Sequence, residues 1–218
     1  MSEMLDRLKK AILEYDVEGA KNIAANAIEE GIDPIDAVDV AIKTIRQIGD
    51  AYGRGELWIP DLVGGASAMK AAMSVLEDEL KKKGKKRQTL GSIVIGTVHG
   101  DIHDIGKTMV STLAEAEGFE VIDLGVSIEA ENLVAAVSEH NPVILALSAL
   151  MTTTAFEQRK VIEMLKEQGM RESIKVAVGG GAVTEEFSQS IGADGYAPTA
   201  PMAINLFKEL IGIGGQNE

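Results

Sequence analysis

The chain has no cysteine, which excludes disulfide bridges and any metal centre built on thiolates. It also lacks an apolar run of about 18 residues and the short apolar core of a signal peptide. A cytoplasmic protein with no membrane partner is therefore expected. Positive charge is the third shortage: 21 Lys and Arg stand against 34 Asp and Glu, a net charge of −13. Nucleic acid is excluded as a partner, because its binding is driven by cationic surface. What remains is 218 residues, 45% of them hydrophobic, enough for one large domain or two small ones with a packed core. The expected partners are neutral cofactors or other proteins.

The apolar period changes once along the chain. Up to residue 84, apolar side chains return every three or four positions, as in Met4, Leu8, Ala11, Ile12 and Tyr15, then Val38, Ala41, Ile42, Ile45, Ile48 and Tyr52. That spacing predicts an amphipathic bundle. Asp16 as a cap, the "IDPID" segment with Asp33 and Pro34, and "WIPD" around Pro60 mark helix starts. Four helices follow, near 2–15, 17–30, 34–53 and 60–82. Trp58 and the Met69/Met73 pair are read as ordinary bundle core. The basic run "KKKGKKRQ" at 81–88 breaks the pattern and reads as a solvated linker. After residue 90, short apolar runs alternate with helical stretches: "SIVIGTV", "EVIDLG", "VILALSAL", "KVAVGG" and a weaker "GYAP". This predicts a doubly wound α/β domain of Rossmann or flavodoxin-like type, with helices near 105–117, 129–139, 155–168, 184–190 and 200–211. Ligands of such sheets bind beyond the carboxyl ends of the strands. The resulting plan is a helical domain over 1–84, a linker over 85–90 and an α/β domain over 91–218.

Unusual chemistry gathers at those strand ends, above all in "IGTVHGDIHDIGKTMV" at 95–110. A phosphate loop would need four residues between Gly100 and the glycine of the GK pair, where this chain has five, and Asp101 and Asp104 would repel phosphate. His99 and His103 are spaced i, i+4, but Gly100 and the preceding β-run make the backbone extended or turning, so the two rings diverge and His99 reads as structural. A single exposed imidazole needs less: His103 as an axial metal ligand, with Asp101 accepting from its other ring nitrogen. Gly100 and Gly106 would then admit a planar ligand, and Gly179 to Gly181 would clear a channel for a ligand tail. The plainer alternative makes His103 an exposed loop residue, with Asp104 capping a helix that Gly106 opens.

The segments "DIHDIG" at 101–106, "SAL" at 148–150 and "GG" at 179–180 resemble the D-x-H-x-x-G, S-x-L, G-G signature of base-off, histidine-on cobalamin-binding domains. The separations also resemble the family's, with 41 residues between the first two elements and 28 between the last two. In the helical half, "IGDAYGRGELWIPDLVGGASAMKAA" is similar to the cap bundle of methionine synthase and of the small corrinoid proteins of methyltransferase systems. The resemblance implies a four-helix cap followed by a cobalamin-binding α/β domain. It implies cobalt bound through His103, with Asp101 and Thr154 as a proton relay. Gly100, Asp101, Ile102, His103, Asp104, Ile105 and Gly106 would form the cofactor loop. Ser148, Leu150, Thr152, Gly179 and Gly180 would line the slot for the displaced nucleotide tail, with Tyr52, Ile59 and Leu62 of the cap over the corrin.

The function implied by this resemblance is that of a methyl carrier, not catalytic alone, cycling cobalamin between cobalt(I) and methylcobalamin. A substrate-specific methyltransferase would load it from a methylamine, betaine, methanol or methoxyaromatic donor. A second methyltransferase would unload it to coenzyme M or tetrahydrofolate, and a reductive activase would be a further partner. The cap would swing aside for each partner on its charged, glycine-containing linker. Two rivals share the lower-domain signature: a mutase subunit, which needs a separate radical-chemistry barrel, and a cobalamin-dependent sensor, which would carry a basic DNA-binding segment.

Overall fold

The computed structural model describes residues 3–83 and 89–213. Most of the expected linker, and the glycine and later residues of the basic run at 81–88, lie outside the described residues. The chain divides into two compact units, one holding the first four helices and the other the sheet with the helices that follow.

The helical unit consists of α1 (Glu3–Leu13), α2 (Val17–Glu29), α3 (Pro34–Gly53) and α4 (Ile59–Lys82). Its starts are set by side-chain caps, which satisfy amides that have no partner inside the helix. Asp16 accepts from Gly19 N at 2.8 Å, and Asp33 accepts from Ile35 N at 3.1 Å, with Pro34 in the first turn. At α4 the cap runs backwards: Asp61 in the first turn accepts from Trp58 N at 2.8 Å. The same carboxylate faces Tyr15, whose phenol is pushed above its ordinary value by burial and then by its hydrogen bond to Asp61.

The core of this unit follows the helical period. Leu8, Ile12, Ile45, Leu62 and Leu76 are fully buried, and α2 contributes only alanines, Ala20, Ala24 and Ala27. Small residues on α4 let its neighbours close in. A methyl group at Gly64 would meet the Tyr15 ring, and one at Gly65 would meet Ile48. Met69 and Met73 are buried as expected, but Trp58 is not a core residue, being 77% exposed. The helical period does not reach it, because it occupies the capping position before α4, where only its backbone is engaged.

The second unit alternates β1 (Ser92–Thr97), α5 (Ile105–Glu117), β2 (Glu120–Asp123), α6 (Ala130–His140), β3 (Ile144–Ser148), α7 (Thr152–Glu167), β4 (Lys175–Gly179), α8 (Glu185–Ile191), β5 (Gly195–Ala197) and α9 (Ala200–Leu210). A single 3-10 turn, Arg171–Ser173, precedes β4. The strands pair in the order β2-β1-β3-β4-β5, all parallel, which is the doubly wound arrangement. Helix α7 begins three residues before the expected 155, because Met151 is extended and the three threonines that follow wind into its first turn.

The two faces of this sheet differ in side-chain size, and that difference positions the site. One face carries Val94, Leu145, Leu147, Val176 and Val178, which build a solid core with Leu133, Val161, Ile162 and Leu165 of α6 and α7. On the other face the register aligns Ile95, Ala146, Ala177 and Gly195 in one row and Thr97, Ser148, Gly179 and Ala197 in the next. Side chains that alternate across the strand give every second residue to one face. In each row the three residues from β3 to β5 are alanine, glycine or serine, so this face leaves room above the sheet.

Candidate functional site

Beyond β1 the chain turns tightly before α5 begins. Thr97 Oγ1 donates to the His103 carbonyl at 3.0 Å, Asp101 N donates to the Val98 carbonyl at 3.1 Å, and Gly100 N donates to Ser127 Oγ at 3.1 Å. Gly100 sits at φ +76, in the left-handed region that glycine occupies without a steric penalty. These bonds place Asp101 at the buried centre of the turn, with its side chain fully enclosed.

Every oxygen of that carboxyl is used. Oδ1 accepts from His103 N at 3.0 Å and lies 2.7 Å from His103 Nδ1, while Oδ2 accepts from Thr154 Oγ1 at 2.6 Å and Leu150 N at 2.8 Å. Burial alone would raise the Asp101 carboxyl, but the bonds from Thr154, His103 and Leu150 outweigh it and hold the group well below the usual carboxylate range. A carboxylate only accepts, so the proton of the shared bond belongs to His103 Nδ1 and the ring's lone pair lies on Nε2. Nε2 has no protein partner among the described residues, and the His103 side chain is 47% exposed.

The imidazole borders a cavity of about 470 Å³. Its sheet wall is the small-residue face, and its opposite wall comes from Val110 of α5 with Ala203, Leu206 and Phe207 of α9. Ile102, Asp104, Ile105, Gly106, Ser148, Leu150, Gly179 and Gly180 also border it, as expected from the sequence. Ile102, Ile105 and Leu150 are exposed apolar side chains at its mouth. Asp101 bonds the ring directly and Thr154 reaches it through Asp101, while Gly100 holds the turn through Ser127; none of the three borders the cavity. Thr152 is exposed on the first turn of α7 and does not border the cavity. In the helical unit, Tyr52 is half-buried late in α3, Ile59 is exposed at the start of α4, and Leu62 is fully buried and presents no surface.

Gly179, Gly180 and Gly181 all border the cavity, and Gly180 has a second duty. A methyl at Gly180 would overlap the Ala149 carbonyl, and its φ is +113. Gly180 is therefore also required by the close approach of the chain just past β3. The rejected readings of the loop also find their reasons. Lys107 is buried, and its Nζ lies 2.6 Å from Asp123 Oδ1, so it is committed and does not face a phosphate. His99 pairs with Glu129 at 2.8 Å, away from His103. Among the described residues no group of three or more His, Asp or Glu is placed to hold a metal ion.

Sequence reasoning missed Thr97, Ser127, the Lys107–Asp123 pair and the α9 wall. Nothing local marks the first two, and the others need contacts between distant positions. Together the observed groups offer one imidazole nitrogen, anchored from behind, beside a slot. That arrangement fits a planar metallo-cofactor held through one axial nitrogen and carrying a pendant tail.

Comparison with known proteins agrees with this geometry. A B12 binding domain family matches residues 91–205, and a second B12 binding domain family matches residues 4–77. The chain is 42% identical over 211 residues to a corrinoid protein of Desulfitobacterium hafniense, covering 96% of this chain and 98% of that protein. It is 37% identical to trimethylamine corrinoid protein 2 of Methanosarcina mazei, covering 97% and 98%. Among solved structures it is similar to the methanol:cobalamin methyltransferase complex of Methanosarcina barkeri, with a TM-score of 0.87, 33% identity, and coverage of 96% of this chain and 80% of that one. No helix of the described residues is long and apolar enough to cross a membrane.

Proposed function

The chain belongs to the family of corrinoid proteins built from B12 binding domains, and from that premise we propose that it is a methyl carrier whose corrinoid is held through His103. The observation that carries the reading is the Asp101–His103 pair, with Nδ1 fixed at 2.7 Å and Nε2 left open at the mouth of the slot. His103 would be the axial ligand. The rim side chains Ile102, Ile105 and Leu150 would lie against the corrin, and the cavity would take the nucleotide tail. Bound there, the corrinoid supplies cobalt as both acceptor and donor of the methyl group.

The chain's own residues supply control of that ligand. Asp101 keeps the proton on Nδ1, so Nε2 presents its lone pair outward, and a hydrogen-bonded carboxylate raises the basicity of the imidazole. Among the described residues Thr154 is the only side chain other than His103 that donates to Asp101, which makes it the route by which a proton would reach or leave the pair. With the corrinoid bound, Ile102, Ile105 and Leu150 would exclude water from its lower face. The donor we favour is a methylated amine or betaine, supported by the relative named for trimethylamine; methanol is supported by the complex from Methanosarcina barkeri. The partners are then a donor-specific methyltransferase, a second methyltransferase serving coenzyme M or tetrahydrofolate, and a reductive activase.

The test is methyl transfer with the corrinoid-loaded chain and purified methyltransferases for each donor. A reading of methyl carriage predicts stoichiometric demethylation of one donor that depends on this chain and is lost in His103→Ala. Failure of every donor and methyltransferase pair, with the corrinoid bound, would contradict it.

A further inference from the structure

Among the described residues, the donors to Asp101 Oδ2 all come from the junction of β3 and α7. Thr154 Oγ1 donates at 2.6 Å, Leu150 N at 2.8 Å and Met151 N at 3.4 Å. The Thr154 hydroxyl has one proton and two acceptors in reach, because the Met151 carbonyl lies 3.0 Å from the same oxygen. Which acceptor it serves depends on how α7 sits against the end of β3. A shift of roughly a few tenths of an ångström would turn the hydroxyl to Met151 and take it from Asp101.

Gln158, one turn along the same face of α7, fixes that seat. Its side chain is fully buried, and its Nε2 donates to the Leu147 carbonyl at 3.1 Å and to the Gly179 carbonyl at 3.2 Å. Leu147 is the last residue but one of β3, and Gly179 ends β4. One amide therefore ties the helix to the carboxyl ends of two strands. Both partners are carbonyls, which only accept, so the orientation of the amide is set. Its Oε1 is left buried with no hydrogen-bond partner among the described residues, which lowers stability. The other buried residues from the second turn of α7 onward are Ala155, Val161, Ile162 and Leu165, all apolar. A methionine or leucine would fill the position without an unpaired oxygen. Core packing does not account for a glutamine here, whereas the tie between helix and strands does.

We infer that Gln158 is a positioning residue for the axial ligand: by tying α7 to β3 and β4 it keeps the Thr154 hydroxyl on Asp101, and through Asp101 it steadies His103. The inference rests on the carrier reading, since it takes His103 as the ligand of the corrinoid. Gln158 does not border the cavity, and its amide bonds neither Asp101 nor His103. Its effect must then pass through Thr154.

The experiment is a double-mutant cycle on the corrinoid-free full chain, titrated with cobalamin: parent, Gln158→Met, Thr154→Val and the double variant, each shown to be folded by urea titration. Gln158→Met is expected to weaken binding about fivefold in the parent background and less than about twofold where residue 154 is already valine, because the route is then gone. A residue that only stabilised the fold would cost the same in both backgrounds. Nitrogen–proton correlation spectra of the corrinoid-free chain give a second readout. The Leu150 amide shares Oδ2 with the Thr154 hydroxyl, so loss of the hydroxyl strengthens its remaining bond and moves its proton downfield, in Gln158→Met as in Thr154→Val. Gln158→Leu is run beside Gln158→Met under the same criteria. Equal losses in the two backgrounds, parent-like binding by the Gln158 variants, or a Leu150 proton that stays in place or moves upfield would overturn the inference and leave the carrier reading intact. A parent chain that binds no cobalamin would overturn the carrier reading and this inference with it.

Discussion

A carboxyl group that water cannot reach normally gives up its charge, and Asp101 keeps it because five donors converge on two oxygens. Removing one donor should therefore be felt at the imidazole. Asp101→Ala is expected to weaken corrinoid binding about 10- to 100-fold, the usual cost of losing a ligand's hydrogen-bonding partner. Thr154→Val should fall in the same direction and Thr154→Ser should bind like the parent, with equilibrium titration as the check; equal loss in Val and Ser would exclude the hydroxyl as the active feature. The same depression of Asp101 fixes the sign of an acid effect. Its folded value lies below the unfolded value of about 3.9, so the unfolded chain binds the extra proton first. Stability from this group is complete above that unfolded value and is lost as the pH falls through it towards the folded one. Urea midpoints of the corrinoid-free chain should fall below about pH 4 more steeply than those of Asp101→Asn. Parallel curves would remove Asp101 from the acid response. The Asp101–His103 pair was legible in the sequence because both residues belong to one short local motif. Gly180 was legible as a slot residue, but the Ala149 carbonyl that demands a glycine there lies just past the end of β3, far away in sequence.

At the scale of the element, the sheet is two surfaces with different duties. Large aliphatics build the packed face, and the rows of alanine, glycine and serine leave the cavity open on the other. Filling that cavity should abolish its use without harming the fold. Ala177→Leu is expected to reduce corrinoid affinity more than tenfold while the urea stability of the corrinoid-free chain stays within about 1 kcal/mol, since the added volume enters empty space. Retained affinity would show that the tail lies elsewhere. Gly180→Ala should do the reverse, destabilising the fold by at least about 1–3 kcal/mol through its left-handed backbone and the Ala149 contact. Helix boundaries were legible because caps such as Asp16 and Asp33 announce themselves locally. The small-residue face was not, because which alanines lie side by side depends on the strand order β2-β1-β3-β4-β5 and its register. Trp58 was misjudged because periodicity assigns faces only inside a helix, and this residue stands just before one.

For the molecule as a whole, two compact units would suit a carrier that meets more than one partner. Trp58 is the chain's single tryptophan and is widely exposed, so its emission reports on the helical unit alone. Corrinoid absorption overlaps indole emission, and loading the chain should quench Trp58. Adding the donor-specific methyltransferase should then change that quenching, as a cap that moves for its partner requires; emission indifferent to the partner would count against such movement. Charge patterning argued against nucleic acid, and the change of apolar period near residue 90 marked two kinds of architecture. The identity of the methyl donor was not legible; under the carrier reading it would be chosen in a partner's pocket.

The central claim is a bond between His103 Nε2 and cobalt, and nuclear spin reads it directly. The chain would be loaded with cobalamin, reduced to the cobalt(II) state, and examined by electron paramagnetic resonance with and without histidine labelled with the heavier nitrogen isotope. The account predicts that each cobalt line is a triplet in the unlabelled protein, becomes a doublet when histidine is labelled, and loses this splitting in His103→Ala. A triplet that persists after histidine labelling, or a spectrum that His103→Ala leaves unchanged, would contradict it.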